Sequence, residues 1–128
     1  MTLVLADTSV WVAHFRRADP VLQSLLAVDR LLCHPLIVLE LACGTPPEPR
    51  ERTIGELKTL RPAIVATNNE TLALIKAERF HGLGCGATDM AILASALLTP
   101  DTQLWTNDKK LGALALRMGI AFSAASYP

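Results

Sequence analysis

The sequence predicts an α/β fold in which helices cover both faces of a mainly parallel sheet of four to five strands. Three observations carry that expectation. Short apolar runs alternate along the chain with longer runs of helical periodicity, the pattern that builds right-handed strand–helix–strand crossovers. The hydrophobic fraction is 51%, dominated by Leu and Ala, which suits a sheet buried on both sides. The length of 128 residues is that of one domain, spanning 1–128, able to bury about two thirds of its unfolded surface.

Leu3-Val4-Leu5-Ala6 reads as the first strand. It is too short for a membrane span and has no basic lead. The run ends abruptly in Asp7-Thr8-Ser9, so Asp7 stands at the strand's carboxyl end, the edge where open α/β sheets bind ligands. Val10 to Arg17, with Trp11, Val12 and Phe15, reads as a helix leaving it. Asp19-Pro20 opens a second helix with Pro at its first position and Val21, Leu22, Leu25 and Leu26 as its apolar stripe. Leu31-Leu32-Cys33 is a short second strand. Pro35 and Gly44 bracket a run that reads as a buried helix carrying Glu40, and Thr45-Pro46-Pro47-Glu48-Pro49 is a surface loop.

Arg50 to Leu60 reads as a polar, exposed helix, and Ala63-Ile64-Val65-Ala66 as the third strand. Asn68 or Asn69 is expected to cap a helix with Leu72, Ile75, Ala77 and Phe80 on its apolar side, ending near His81-Gly82. Beyond the connector Gly82-Leu83-Gly84-Cys85-Gly86, Thr88 is expected to cap a helix from Asp89 to Leu98. That helix is apolar nearly all round and should be buried. Gln103-Leu104-Trp105-Thr106 is the fourth strand, Lys109 to Met118 a helix closed by Gly119, and Ile120-Ala121-Phe122 a fifth short strand.

Composition narrows the chemistry. Cys33, Cys43 and Cys85 are odd in number and have no metal-type spacing; they read as reduced thiols in or near the core. His14, His34 and His81 form no zinc-like pair. No serine occupies a nucleophile elbow, and the Gly82–Gly86 connector lacks the Lys of a phosphate-binding loop. Four acids remain: Asp7, Glu40, Asp89 and Asp108. Singly, each has an ordinary explanation. Asp7 and Asp108 could cap helices, Asp89 could complement a helix dipole, and Glu40 could pair with an Arg. Together, two lie at carboxyl ends of strands and two on helices packing over the same sheet. Converging carboxylates repel unless protonated or bridged by a cation, and an all-oxygen cluster suits Mg²⁺ or Mn²⁺. Setting these four aside leaves twelve Lys and Arg against eight Asp and Glu, a remaining surface of +4, so a net charge of zero does not exclude RNA.

Leu5-Ala6-Asp7-Thr8-Ser9-Val10-Trp11-Val12, Val38-Leu39-Glu40-Leu41-Ala42, Thr88-Asp89-Met90-Ala91-Ile92-Leu93-Ala94 and Leu104-Trp105-Thr106-Asn107-Asp108-Lys109-Lys110-Leu111 resemble the four motifs of PIN-domain nucleases. The ordered set covers almost the whole chain, and its short length makes it most similar to the VapC toxins of bacterial toxin–antitoxin pairs. The resemblance implies a three-layer α/β/α sandwich and a Mg²⁺- or Mn²⁺-dependent ribonuclease that inhibits translation and growth. It implies a homodimer, or a higher hetero-oligomer, held inactive by a VapB-type antitoxin. Carried over residue by residue, Asp7, Glu40, Asp89 and Asp108 become the acidic quartet, with Asp7 and Asp108 foremost as direct ligands. Thr8, Ser9, Thr106 and Asn107 match small polar positions beside it. Arg16, Arg17, Lys109 and Lys110 are candidate RNA phosphate contacts.

Three other readings compete. A PIN nuclease of RNA maturation would more often carry extra domains. A small-molecule phosphatase of the phosphoaspartate kind wants a second Asp where Ser9 stands. A binding module that grips RNA or a partner without cutting it would be expected to lack one or more of the acids. With no membrane-spanning run and no signal peptide visible, a cytoplasmic location is the default expectation.

Overall fold

A computed structural model describes residues 1–127. In chain order the elements are β1 (Leu3–Ala6), α1 (Thr8–Arg16), α2 (Pro20–Ala27), β2 (Leu32–Cys33), α3 (Pro35–Cys43), α4 (Arg50–Leu57), β3 (Arg61–Pro62), α5 (Asn68–Glu78), α6 (Ala87–Leu98), β4 (Thr102–Trp105) and α7 (Lys109–Arg117). A 3₁₀ turn, Ala124–Ser126, follows.

The sheet is parallel throughout. β1 pairs with β4 in the register Leu3 opposite Thr102 to Ala6 opposite Trp105, and β2 pairs with β3. Single parallel bridges, Val4 with Leu31 and Leu104 with Ala121, join these pairs to each other and add a fifth segment. The order across the sheet is therefore β3, β2, β1, β4 and the segment around Ala121. That segment is held by Leu104 N–H to Ile120 O at 2.7 Å and Phe122 N–H to Leu104 O at 2.9 Å, but it is too short to form the full strand that its sequence suggests. Successive strand residues point to opposite faces, yet Val4, Leu5 and Ala6 are all fully buried, so both faces of the sheet are covered. This is the expected three-layer arrangement.

Four local expectations need correction. The strand expected at Ala63 to Ala66 sits two residues earlier and is only Arg61–Pro62. After Ala63, whose N–H still reaches Cys33 O, the backbone leaves the sheet for α6. Ile64 N–H donates to Thr99 Oγ1 and Ala66 N–H to Ser95 Oγ, both at 2.9 Å, while Ile64 and Val65 lie exposed. The cap of α5 is Thr67, not Asn68 or Asn69. Thr67 and Glu70 form a reciprocal capping box, and Leu72 and Ala77 point to solvent. α6 begins at Ala87 behind Gly86, so Thr88 lies inside the helix instead of capping it. α3 is only half buried: Ile37 and Leu41 face the core, whereas Leu39 and Glu40 are exposed.

One buried polar hub ties these pieces together. His34 caps α3 by accepting Leu36 N–H at Nδ1 (3.1 Å), which leaves Nε2 to donate to Ser95 Oγ at 2.9 Å. Ser95 Oγ also accepts Ala66 N–H and donates to Ala91 O at 2.7 Å. A single hydroxyl thus joins α3, α6 and the segment after β3. Burial holds the His34 imidazole below its ordinary pKa, so the folded chain keeps it neutral.

Ser95→Ala strands the ring N–H and an amide, and is expected to cost about 1–3 kcal/mol in urea unfolding. Because folding depresses the His34 pKa, its contribution is present above about 6.5, the ordinary value, and is lost as pH falls through the folded value. Melting curves from pH 7.5 to 5.5 should therefore shift downward, and His34→Gln should remove that component of the slope.

Candidate functional site

The parallel pairing of β1 and β4 sets their carboxyl ends side by side, and each strand hands over to a helix through an acid. Asp7 caps α1, accepting Val10 N–H at Oδ1 (3.3 Å). Asp108 caps α7, accepting Lys110 N–H at 2.8 Å and Leu111 N–H at 3.1 Å, both at Oδ1. Capping and metal ligation are thus not mutually exclusive explanations of Asp7 and Asp108.

Ser9 and Thr106 stitch the two strand ends together. The Ser9 hydroxyl donates to Asp7 Oδ1 and accepts Asn107 N–H at 2.9 Å. The Thr106 hydroxyl donates to Asp7 Oδ2 and accepts Asp108 N–H at 3.0 Å. Asp7 is 6% exposed, and burial pushes its carboxyl above the usual range despite these hydrogen bonds. Thr8, in the first turn of α1, donates to Glu40 Oε1 at 2.7 Å and so ties α3 to the same edge. Asn107 contributes its backbone N–H to this network; its side-chain amide makes no hydrogen bond among the described residues.

Asp89 lies half-buried in the first turn of α6. Its pKa is raised first by burial and then by the charges of Asp108, Asp7 and Glu40, in that order, with partial relief from the Gly86 backbone N–H. All four predicted acids therefore share one electrostatic neighbourhood. Glu40 joins it from solvent, so the buried carboxylate expected inside α3 is instead an exposed one held by Thr8.

The donor set fits a hard divalent cation. It is all carboxylate oxygen, and at Asp89 the charges of Asp108, Asp7 and Glu40 add to burial in raising the carboxyl's proton affinity, a condition that a cation relieves. Among the described residues no three acidic, His or Cys side chains stand in ready-made ligand spacing. Asp7 Oδ1 and Asp108 Oδ1 each accept two hydrogen bonds, Asp7 Oδ2 and Glu40 Oε1 one each, and Asp108 Oδ2 and Glu40 Oε2 none among the described residues. Asp7 Oδ2, Asp108 Oδ2 and both Glu40 oxygens therefore retain an unused lone pair with which to meet a cation.

The basic residues divide. Lys110 lies over Gly84, with Nζ 2.7 Å from where a Cβ would stand, and the φ of +87° is what favours a glycine there. Lys109 is exposed beside it. Arg16 and Arg17 lie at the far end of α1, exposed and without ion pairs among the described residues. Cys85 is a neighbour that no spacing rule indicated. Burial and the charges of Asp89 and Asp108 push its thiol pKa up against the pull of Lys110.

Residues 4–116 match the family model described as PIN domain. Two curated proteins, both called Ribonuclease VapC32 and from the CDC 1551 / Oshkosh and ATCC 25618 / H37Rv strains of Mycobacterium tuberculosis, are each 40% identical over 121 residues. The matches cover 94% of this chain and 97% of each relative.

Asp89→Asn removes a charge that the apo cluster opposes. Because folding raises the Asp89 pKa, that opposition is felt as pH rises through the folded value. In EDTA at pH 7.5 the variant is expected to melt above the native chain. Mn²⁺ should raise the melting temperature of the native chain and move the variant much less.

Proposed function

The chain belongs to the PIN-domain family, and from that premise we propose that it is a divalent-metal-dependent ribonuclease of the VapC type, the toxin of a toxin–antitoxin pair. The observation that carries the reading is the meeting of Asp7, Glu40, Asp89 and Asp108 at the carboxyl edge of a parallel sheet, felt as mutual charge at Asp89. A chain that only gripped RNA would have no need to keep four mutually repelling acids together.

In this reading Asp7 and Asp108 hold Mg²⁺ or Mn²⁺ directly, with Glu40 and Asp89 binding it or orienting the attacking water. A bound divalent cation supplies polarisation of the phosphodiester and a lowered water pKa. The protein's own part is positional. Ser9 and Thr106 fix the Asp7 carboxylate from both sides, and Thr8 fixes Glu40. The Asp89 carboxyl, its pKa raised by burial and then by its neighbours' charges, is suited to take a proton from water beside it. Water oxygen attacks phosphorus, the bond to the 3′ oxygen breaks, and that oxygen leaves as a hydroxyl, giving a 5′-phosphate. Among the described residues no histidine joins the acids to deprotonate a 2′-hydroxyl; His34, for one, is committed to the hub with Ser95.

We assign RNA as the substrate, with the exposed Lys109, Lys110, Arg16 and Arg17 as the proposed phosphate contacts. We assign inhibition to a VapB-type antitoxin, assembly to a homodimer, and location to the cytoplasm. The name shared by the relatives supports the antitoxin. Among the described residues no helix is long and apolar enough to cross a membrane. A cavity of about 450 Å³ between α3, α4 and the segment after β3, lined by Val38, Leu39, Ala42, Ile54 and Val65, supports protein contact there.

The purified chain is expected to cut a mixed RNA pool with Mg²⁺ or Mn²⁺ and to stop in EDTA. Asp7→Asn should lower the rate at least ~100-fold. End-group analysis should find 5′-phosphate and 3′-hydroxyl; 2′,3′-cyclic phosphate ends would overturn the mechanism.

A further inference from the structure

Glu40 has two neighbourhoods. One side meets the acidic quartet through Thr8; the other lines a separate cavity of about 260 Å³. One wall of this cavity is α1, which presents Val12, Phe15 and Arg16 at helical spacing. The facing wall is the loop Thr45-Pro46-Pro47, and Gly44 lies between. That loop is fastened from behind. Thr53 Oγ1 donates to Pro47 O at 2.8 Å, and Arg50 Nη2 donates to Ala42 O at 2.5 Å, at the end of α3. Pro46 is buried, so the wall is preformed.

We propose that this cavity is a nucleobase subsite. One unstacked base of the RNA substrate enters between Phe15 and the proline wall, and Arg16 takes an adjoining phosphate. The inference rests on the ribonuclease reading and deepens it. Sequence-specific recognition of RNA acts on splayed bases held against flat side chains with a guanidinium nearby, and this cavity has both. Its volume of about 260 Å³ is enough for a single ring system and below the ~300–1,000 Å³ typical of sites for drug-sized ligands. Thr45, also in the lining, brings a hydroxyl that can donate to or accept from a base edge. Because Glu40 is shared, a base seated here adjoins the bond to be cut. The position read is therefore next to the scissile phosphate.

The test begins by mapping the cut site in an RNA pool and making a short RNA around it, with copies bearing one abasic position each. Single-turnover cleavage with Mn²⁺ is measured for the native chain, Gly44→Leu and Arg16→Gln, with melting curves to establish folding. Gly44 lines the cavity, and a Cβ there would meet only Leu41 O, at 3.6 Å, an ordinary contact, so a side chain can start from this position without a clash at Cβ. One abasic position beside the cut should slow the native chain about tenfold or more. Gly44→Leu should slow cleavage of the intact RNA by a similar factor, and the two losses should not multiply. Arg16→Gln should raise KM and weaken salt dependence while the same abasic position still matters. Uniform rates across the abasic copies would overturn the proposal, as would multiplying losses or a folded Gly44→Leu that cuts like the native chain. A native chain that cuts no RNA at all would instead overturn the ribonuclease reading, and the subsite with it.

Discussion

The structure depends on keeping four carboxylates together against their own repulsion. It does so with helix ends. Asp7 and Asp108 are the N-caps of α1 and α7, and Asp89 lies in the first turn of α6, so three of the four acids face the positive pole of a helix. Backbone N–H groups that a helix start must leave unpaired are given to these acids. Glu40 is the exception. Lying within α3, it has no helix pole to lean on and remains in solvent with one hydroxyl partner. The quartet is thus graded, from Asp7 almost enclosed to Glu40 open.

This grading explains what could be read in the sequence. Asp7 and Asp108 were legible because an apolar run stopping at an acid marks a strand end and a helix start together. Asp89 was legible as a first-turn acid of an apolar helix. Glu40 was found for a reason that proved wrong: the run from Leu36 to Cys43 looks buried on all sides, but α3 leaves Leu39 and Glu40 outside. Hydropathy cannot report which face of an apolar helix the fold leaves uncovered. Ser9 and Thr106 were marked as small polar positions, but their bridging geometry depends on the parallel register of β1 and β4, which no local pattern contains.

The fold shows the same division. Most strand and helix starts agree with the sequence pattern within two residues, while α4 and α5 stop at Leu57 and Glu78, short of the expected Leu60 and His81. The failures lie where tertiary partners outbid local preference. Ala63 to Ala66 has the composition of a strand, yet Pro62 carries no N–H for a ladder and Ser95 and Thr99 capture the amides that follow. Those serine and threonine hydroxyls look unremarkable inside an apolar helix. The cap of α5 was missed although Thr67-Asn68-Asn69-Glu70 spells a capping box.

Asp108 offers the cleanest separation of chemistry from architecture. Its Oδ1 alone receives both N–H groups of α7, and the residue lies in solvent. Asparagine is as good a helix cap as aspartate and retains that oxygen. Exchange of one atom group at Oδ2 would discharge the residue while its helix stays anchored. Disarmament of such a chain therefore need not pass through misfolding. If Asp108 serves the proposed chemistry, a silent, well-folded copy would lie one substitution away, with its surfaces intact and able to compete with the active form for whatever binds them.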